Sequence, residues 1–197
     1  NYNTIREYIR NFIMSKLETN TIDTVSGTTN LVVGSTNSST VTFENGSPTG
    51  HMYPAFHAEL SATQEPSNDT ATVVQFNRET LDTDNAYDNS SNYRFTPQVA
   101  GKYFVYSQIL NNPSSSNNIQ QARINIRKNG SNVSNYQFSS STNPVDEIGV
   151  GSQVIVDLNG SSDYVDVIGT QAVSSGTNRF SGGTTSDTYF GAYRIGA

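Results

Sequence analysis

Apolar residues recur along this chain with two different periods. Over TIREYIRNFIMSKLET, residues 4–19, the side chains Ile5, Ile9, Phe12, Ile13 and Leu17 fall on one face at helical spacing. Arg6, Glu7, Arg10 and Lys16 lie mostly opposite, and Thr4 with Glu7 forms a capping box. The pattern predicts a helix within residues 1–20. A helix of this length is marginal alone in water, so its apolar stripe must pack on other chains, on a host structure or back on the domain. Residues 21–51 change character. Short β-prone runs, Leu31 to Val33 and Val41 to Phe43, alternate with Gly, Ser, Asn and Thr, as in a stalk or connector built from small strands.

From residue 52 to 197 the period becomes two. PAFHAEL, TVVQF, YRFTP, GKYFVYSQIL, ARINIRK, SQVIVDL, DYVDVIG and TYFGAYRI are eight candidate strands at the spacing of a sandwich or barrel. Asn129–Gly130 and Asn159–Gly160 supply hairpin-type turn chemistry after strands. Two strands alternate cleanly: Ala122, Ile124 and Ile126 point in from one, and Val154, Val156 and Leu158 from the other. GKYFVYSQIL does not alternate. Tyr103, Val105 and Ile109 lie on one face; Phe104, Tyr106 and Leu110 lie on the other. The last strand, with Tyr189, Phe190, Ala192, Tyr193 and Ile195, shows the same excess. Both strands carry more apolar surface than one sandwich core can cover, so Tyr103, Phe104, Tyr106, Phe190 and Tyr193 are candidates for core or for a subunit interface.

The composition narrows the chemistry. Only 14% of the 197 residues are charged, and Asn, Ser and Thr make up roughly a third of the chain. A net charge of −6 argues against nucleic acid, which needs a basic patch. There is no cysteine, hence no disulfide and no cysteine-based site. No apolar run reaches the length of a membrane span, so membrane insertion is not expected. The chain opens at Asn1 with neither Met nor a signal peptide, which points to a processed or excised piece.

Candidate chemistry is sparse. His51 and His57 fall short of a three-histidine metal site, and His57 is expected on the outward side of its strand. No G-x-S-x-G elbow, phosphate loop, dinucleotide fingerprint or H-E-x-x-H is present. Glycosidase carboxylates pair only in space, but acids are few and Trp is absent. Asp82, Asp84 and Asp88 cluster within DTDNAYDN as weak candidates for calcium. They lack the EF-hand glycine and distal glutamate, and a solvated loop is the expectation. No enzyme activity and no cofactor are expected.

The order of motifs from Pro54 to Ala197 resembles the C1q-like domain of the C1q/tumour necrosis factor superfamily. The opening P-A-F-x-A strand is matched by Pro54, Ala55, Phe56, His57 and Ala58, and the next stretch by Val74, Gln75, Phe76, Asn85, Ala86, Tyr87 and Asp88. The F-T-x-P-x-x-G-x-Y-x-F signature is matched by Phe95, Thr96, Pro97, Gly101, Tyr103 and Phe104, one residue shorter between Thr96 and Pro97. A K-N-G turn follows at Lys128, Asn129 and Gly130, then a degraded L-x-x-G-D turn from Leu158 to Asp163. The closing strand is Tyr189, Phe190, Gly191, Ala192 and Tyr193.

The resemblance implies an all-β, ten-stranded jelly-roll head that assembles as a tight homotrimer. A strand apolar on both faces would then lie between the core and a subunit interface. Collagen-like repeats are missing. Phrases such as NYRFTPQVAGKYFVYSQI and IDTVSGTTNLVVG look like structural proteins of marine tailed bacteriophages. The expectation is a trimeric appendage on the virion surface: a fibre, knob or capsid decoration. Its N-terminal region would join other virion proteins, and its head would meet a host cell-surface glycan or protein or serve particle structure. The alternative is a secreted bacterial adhesion or matrix module with the same head.

Overall fold

The computed structural model describes residues 54–116, 118–184 and 187–196. The expected helix with Ile5, Ile9, Phe12, Ile13 and Leu17, and the stalk over 21–51, lie outside the described residues.

Eleven strands follow one another: β1 (Ala55–Glu59), β2 (Thr72–Val73), β3 (Arg78–Asp82), β4 (Tyr87–Asp88), β5 (Arg94–Phe95), β6 (Gly101–Asn111), β7 (Ile119–Lys128), β8 (Ser131–Ser139), β9 (Ile148–Leu158), β10 (Val165–Val173) and β11 (Tyr189–Gly196). They build two antiparallel sheets. The first has the order β3-β1-β11-β6-β9; the second has β4-β5-β10-β7-β8, with β2 added on β10. Ten strands therefore lie on the two sheet paths, and the two-residue β2 stands off them. This is the expected all-β jelly roll. Among the described residues no helix is long and apolar enough to cross a membrane.

Alternation puts every second side chain into the space between the sheets. Tyr103, Val105 and Ile109 of β6 are fully buried there, facing Ala122, Ile124 and Ile126 of β7. On the outward side of β7, Arg123 and Arg127 are half-buried, and Asn125 is buried. One end of the core is aromatic. Phe56 stacks on Tyr87 at 4.6 Å and on Phe95 at 4.5 Å, and meets the edge of Phe190 at 4.8 Å. Phe76 packs on Phe190, and Phe95 on Tyr103. Both buried phenols find acceptors: Tyr87 donates to the Phe76 carbonyl at 3.0 Å, and Tyr103 to the Val99 carbonyl at 2.7 Å. Burial pushes the Tyr103 hydroxyl up to about 12, and pushes that of Tyr87 up as well. The family-like signature residues Phe56, Phe76, Tyr87, Phe95, Tyr103 and Phe190 thus form one packed cluster.

The strand pattern differs from expectation in three places. TVVQF pairs only over Thr72–Val73, beside Ile168 and Gly169. β3, β4 and β8 are additional strands; β8 reads SNVSNYQFS, too polar to signal itself, and takes its register from β7. The turn between them is a two-residue hairpin with Asn129 at φ 50° and Gly130 at φ 79°. Positive φ at both positions is what such a turn requires, and Asn-Gly adopts it with least strain. Asn159–Gly160, by contrast, does not close a hairpin. It opens the crossing from β9 in the first sheet to β10 in the second, where the Asn159 side-chain oxygen accepts from the amides of Ser161, Ser162 and Asp163, each at 3.0 Å.

Candidate interaction surface

The outer face of the first sheet is where the two-faced strands turn their second set of side chains. Register lines up Leu81, His57, Gly191, Tyr106 and Gln153 in one row across β3, β1, β11, β6 and β9. The neighbouring row holds Ala55, Tyr193, Phe104 and Ile155. Tyr189 and Gln108 follow on the other side. The aromatic rings form a continuous layer: Phe104 lies 5.5 Å from Tyr193 and 6.1 Å from Tyr106, and Tyr106 lies 6.2 Å from Tyr189. Two aliphatic side chains at its margins are open to solvent, Ile155 at 57% and Leu81 at 48% exposure.

Gly191 makes this layer possible. A Cβ there would come within 2.4 Å of the Tyr106 ring, so the Tyr106 side chain lies flat over β11 only because position 191 carries none. His57 accepts or donates across 3.1 Å between Nδ1 and the Tyr106 hydroxyl, and its ring lies 5.7 Å from that of Tyr189. Burial first, then the neighbouring Tyr189 and Tyr193, raise the Tyr106 hydroxyl above its ordinary value. Charges are kept to the edge. Glu59 pairs with Arg78 at 2.5 Å, with His57 Nε2 at 3.7 Å, and Lys102 with Asp157 at 2.6 Å. An apolar centre with a charged rim is the anatomy of a protein–protein interface.

The five candidates for core or interface therefore separate. Tyr103 and Phe190 belong to the core; Phe104, Tyr106 and Tyr193 lie on the outer face. His57 is on the outward side, as expected. Leu81 and Ile155 were not singled out from the sequence: the first sits in the polar run RETLD, the second at the nominally wet position of SQVIVDL. Only the pairing of β3 and β9 with their neighbours brings them to this face.

Of Asp82, Asp84 and Asp88, the first and the last take up backbone amides. Asp82 accepts from the amides of Asp84 at 3.2 Å and Tyr87 at 2.8 Å. Asp88 accepts from the amides of Ser90, Ser91 and Asn92 and from the Asn92 side chain at 2.7 Å. Among the described residues no three His, Cys, Asp or Glu side chains stand close enough to hold a metal. Donors aimed at a carboxylate occupy the directions a cation would need. Melting curves recorded with calcium and with a chelator are expected to superimpose; a shift of many degrees would contradict this arrangement.

The Ser91 amide foremost, then those of Ser90 and Asn92, hold the Asp88 carboxyl well below the usual carboxylate range against the opposing effect of burial. A carboxyl depressed in the folded state contributes stability above its unfolded value of about 3.9, and loses it as pH falls through the folded value. Asp88→Asn is therefore expected to lower the melting temperature near neutral pH, with a gap that starts to narrow as pH falls below about 3.9 and closes only toward the low folded value. A constant gap across the acid range would contradict it.

No family model and no curated protein matches the chain. Among solved structures, the Eiger TNF from S. frugiperda matches with a TM-score of 0.53 at 14% identity, over 73% of this chain and 92% of that one. Murine APRIL, solved at pH 8.0 and at pH 8.5, matches with a TM-score of 0.50 in both cases. The identities are 14% and 15%, over 71% of this chain and 97% of that one. The fold is a TNF-like jelly roll. At such identities the likeness concerns the fold alone. Within this jelly roll the aromatic layer occupies the outside of the sheet that contains β1, β11 and β6.

Proposed function

We propose that the chain is the subunit of a homotrimer, closed through the Tyr106 face, and that it serves as a binding head on a bacteriophage virion appendage. The observation that carries the assembly is the aromatic layer of Phe104, Tyr106, Tyr189 and Tyr193 on an outer sheet face. A large apolar patch rimmed by polar residues marks an interaction surface, and a closed ring of identical subunits covers it without leaving a free end. The TNF-like fold supports three as the number of subunits, since the superfamily that the sequence resembles assembles that way.

The virion role is supported by the resemblance of two sequence phrases to phage structural proteins. In it, residues 1–20 attach the head to other virion proteins and the head meets a host-surface glycan or protein. The protein binds and does not catalyse. Three equivalent heads acting together turn weak single contacts into firm attachment.

Immunogold labelling of intact particles with antibody to the head tests the location. Label on an appendage supports the virion role. Protein found free in the medium, with unlabelled particles, would favour the secreted adhesion module. Deleting residues 1–20 is expected to leave a folded head that no longer incorporates; normal incorporation would refute the anchoring role.

A further inference from the structure

On the outer face of the second sheet, a cleft of about 360 Å³ opens between β2, the turn leading into β5, and the start of β10. Val73 and Gln75 line one side, Asn92, Tyr93 and Arg94 another, with Tyr164 and Asp166 across from them. Arg94 lies over the Tyr164 ring, 4.5 Å from its centre. Among the described residues no acceptor takes its guanidinium hydrogens. The other charges at the site are accounted for: Asp166 is held bidentately by Arg127, at 2.8 Å and 2.5 Å, and Asp88, across from Arg94 in the β4–β5 pair, has its oxygens filled by amides. Of the two charged residues that line the cleft, Asp166 is thus neutralised by Arg127, and Arg94 keeps a charge that no carboxylate among the described residues pairs. The turn itself is fixed. Tyr93 has φ 52°, a conformation a bulky side chain adopts only when its surroundings enforce it.

We propose that this cleft binds a pyranose carrying a carboxylate, a uronic or a sialic acid. An unpaired guanidinium lying over an aromatic ring can present two parallel N–H groups, the geometry that a carboxylate matches. Tyr93 and Tyr164 offer apolar ring faces for the C–H side of a sugar, with hydroxyls at their tips. Gln75 and Asn92 supply amide donors and acceptors for sugar hydroxyls. The volume suits one sugar ring with its substituents. Because the cleft and the Tyr106 face lie on opposite outer surfaces of the sandwich, closing the trimer leaves the cleft open. The biological source of the ligand rests on the reading of the head as a host-recognition module; the chemistry of the cleft does not.

The test is calorimetric titration of the full chain with N-acetylneuraminic acid, methyl β-glucuronoside, methyl β-glucoside and acetate. One or both acidic sugars are expected to bind, and which of them does assigns the source. The neutral glucoside and acetate are expected to bind about tenfold more weakly or not at all. Arg94→Gln is expected to weaken the acid by about tenfold, and Arg94→Lys by less, because charge survives and the fork does not. Tyr93→Gly keeps the backbone conformation, removes the ring, and is expected to weaken binding too. Melting curves of each variant show that the fold is intact.

Failure of both acids to bind at millimolar concentration would overturn the proposal. So would acetate binding as tightly as the sugars, or a folded Arg94→Gln protein that binds like the parent. Light scattering on the same samples separates this from the assembly: a trimer that binds no acid sinks the cleft alone, and a monomer that binds it sinks the trimer alone.

Discussion

Tyr106→Asp is expected to convert the proposed trimer to monomers at micromolar concentration while leaving the sandwich folded. The Tyr106 ring lies on the outer face, over Gly191 and beside Phe104, so its replacement leaves the core untouched. Closure would bring three copies of the new carboxylate into an apolar interface. The effective penalty for burying an unpaired ion is several kcal/mol each, and three together exceed what the lost rings leave behind. Size-exclusion chromatography with light scattering reads the mass, and near-ultraviolet circular dichroism checks the core. A Tyr106→Asp protein that remains trimeric would show that this face is not the interface.

Phe56→Ala is expected to destabilise each subunit by about 3–5 kcal/mol, the range for removing a large aromatic side chain from a packed core. Phe56 is 1% exposed and touches three other rings, those of Tyr87, Phe95 and Phe190. Aromatic pairs add to simple burial, and the cavity would open where both sheets meet. Against a typical domain stability of about 5–15 kcal/mol this is a large share. Urea denaturation of the monomeric Tyr106→Asp background measures it without coupling to assembly. A loss under about 1 kcal/mol would mean that the aromatic cluster is not the organising centre of the core.

The two experiments divide the apolar residues into those that make the fold and those that make the surface, and the sequence was legible for the first group above all. The residues that carry the family-like signature, Phe56, Phe76, Tyr87, Phe95, Tyr103 and Phe190, are mutually packed core side chains. Their order along the chain therefore speaks for the jelly roll and says little of function. Strands such as β6 and β7 stand out because alternation and β-branched content coincide. β3, β4 and β8 do not, because a polar strand at or near a sheet edge is defined by its neighbours' hydrogen bonds more than by its own side chains. The same limit hid part of the surface. Phe104 and Tyr106 were visible as excess apolar residues on a two-faced strand. Nothing local marked Leu81 or Ile155, which reach the face through cross-strand register. The cleft was less visible still: Arg94 and Tyr164 lie far apart in the chain and meet only because β5 pairs with β10.

Light scattering on the compact unit Pro48–Ala197, without the N-terminal segment, tests the central claim most directly. The Tyr106 face predicts a mass of three subunits that persists from micromolar to nanomolar concentration. A well-folded monomer over the whole range would contradict it, because the aromatic layer would then be stable in open water.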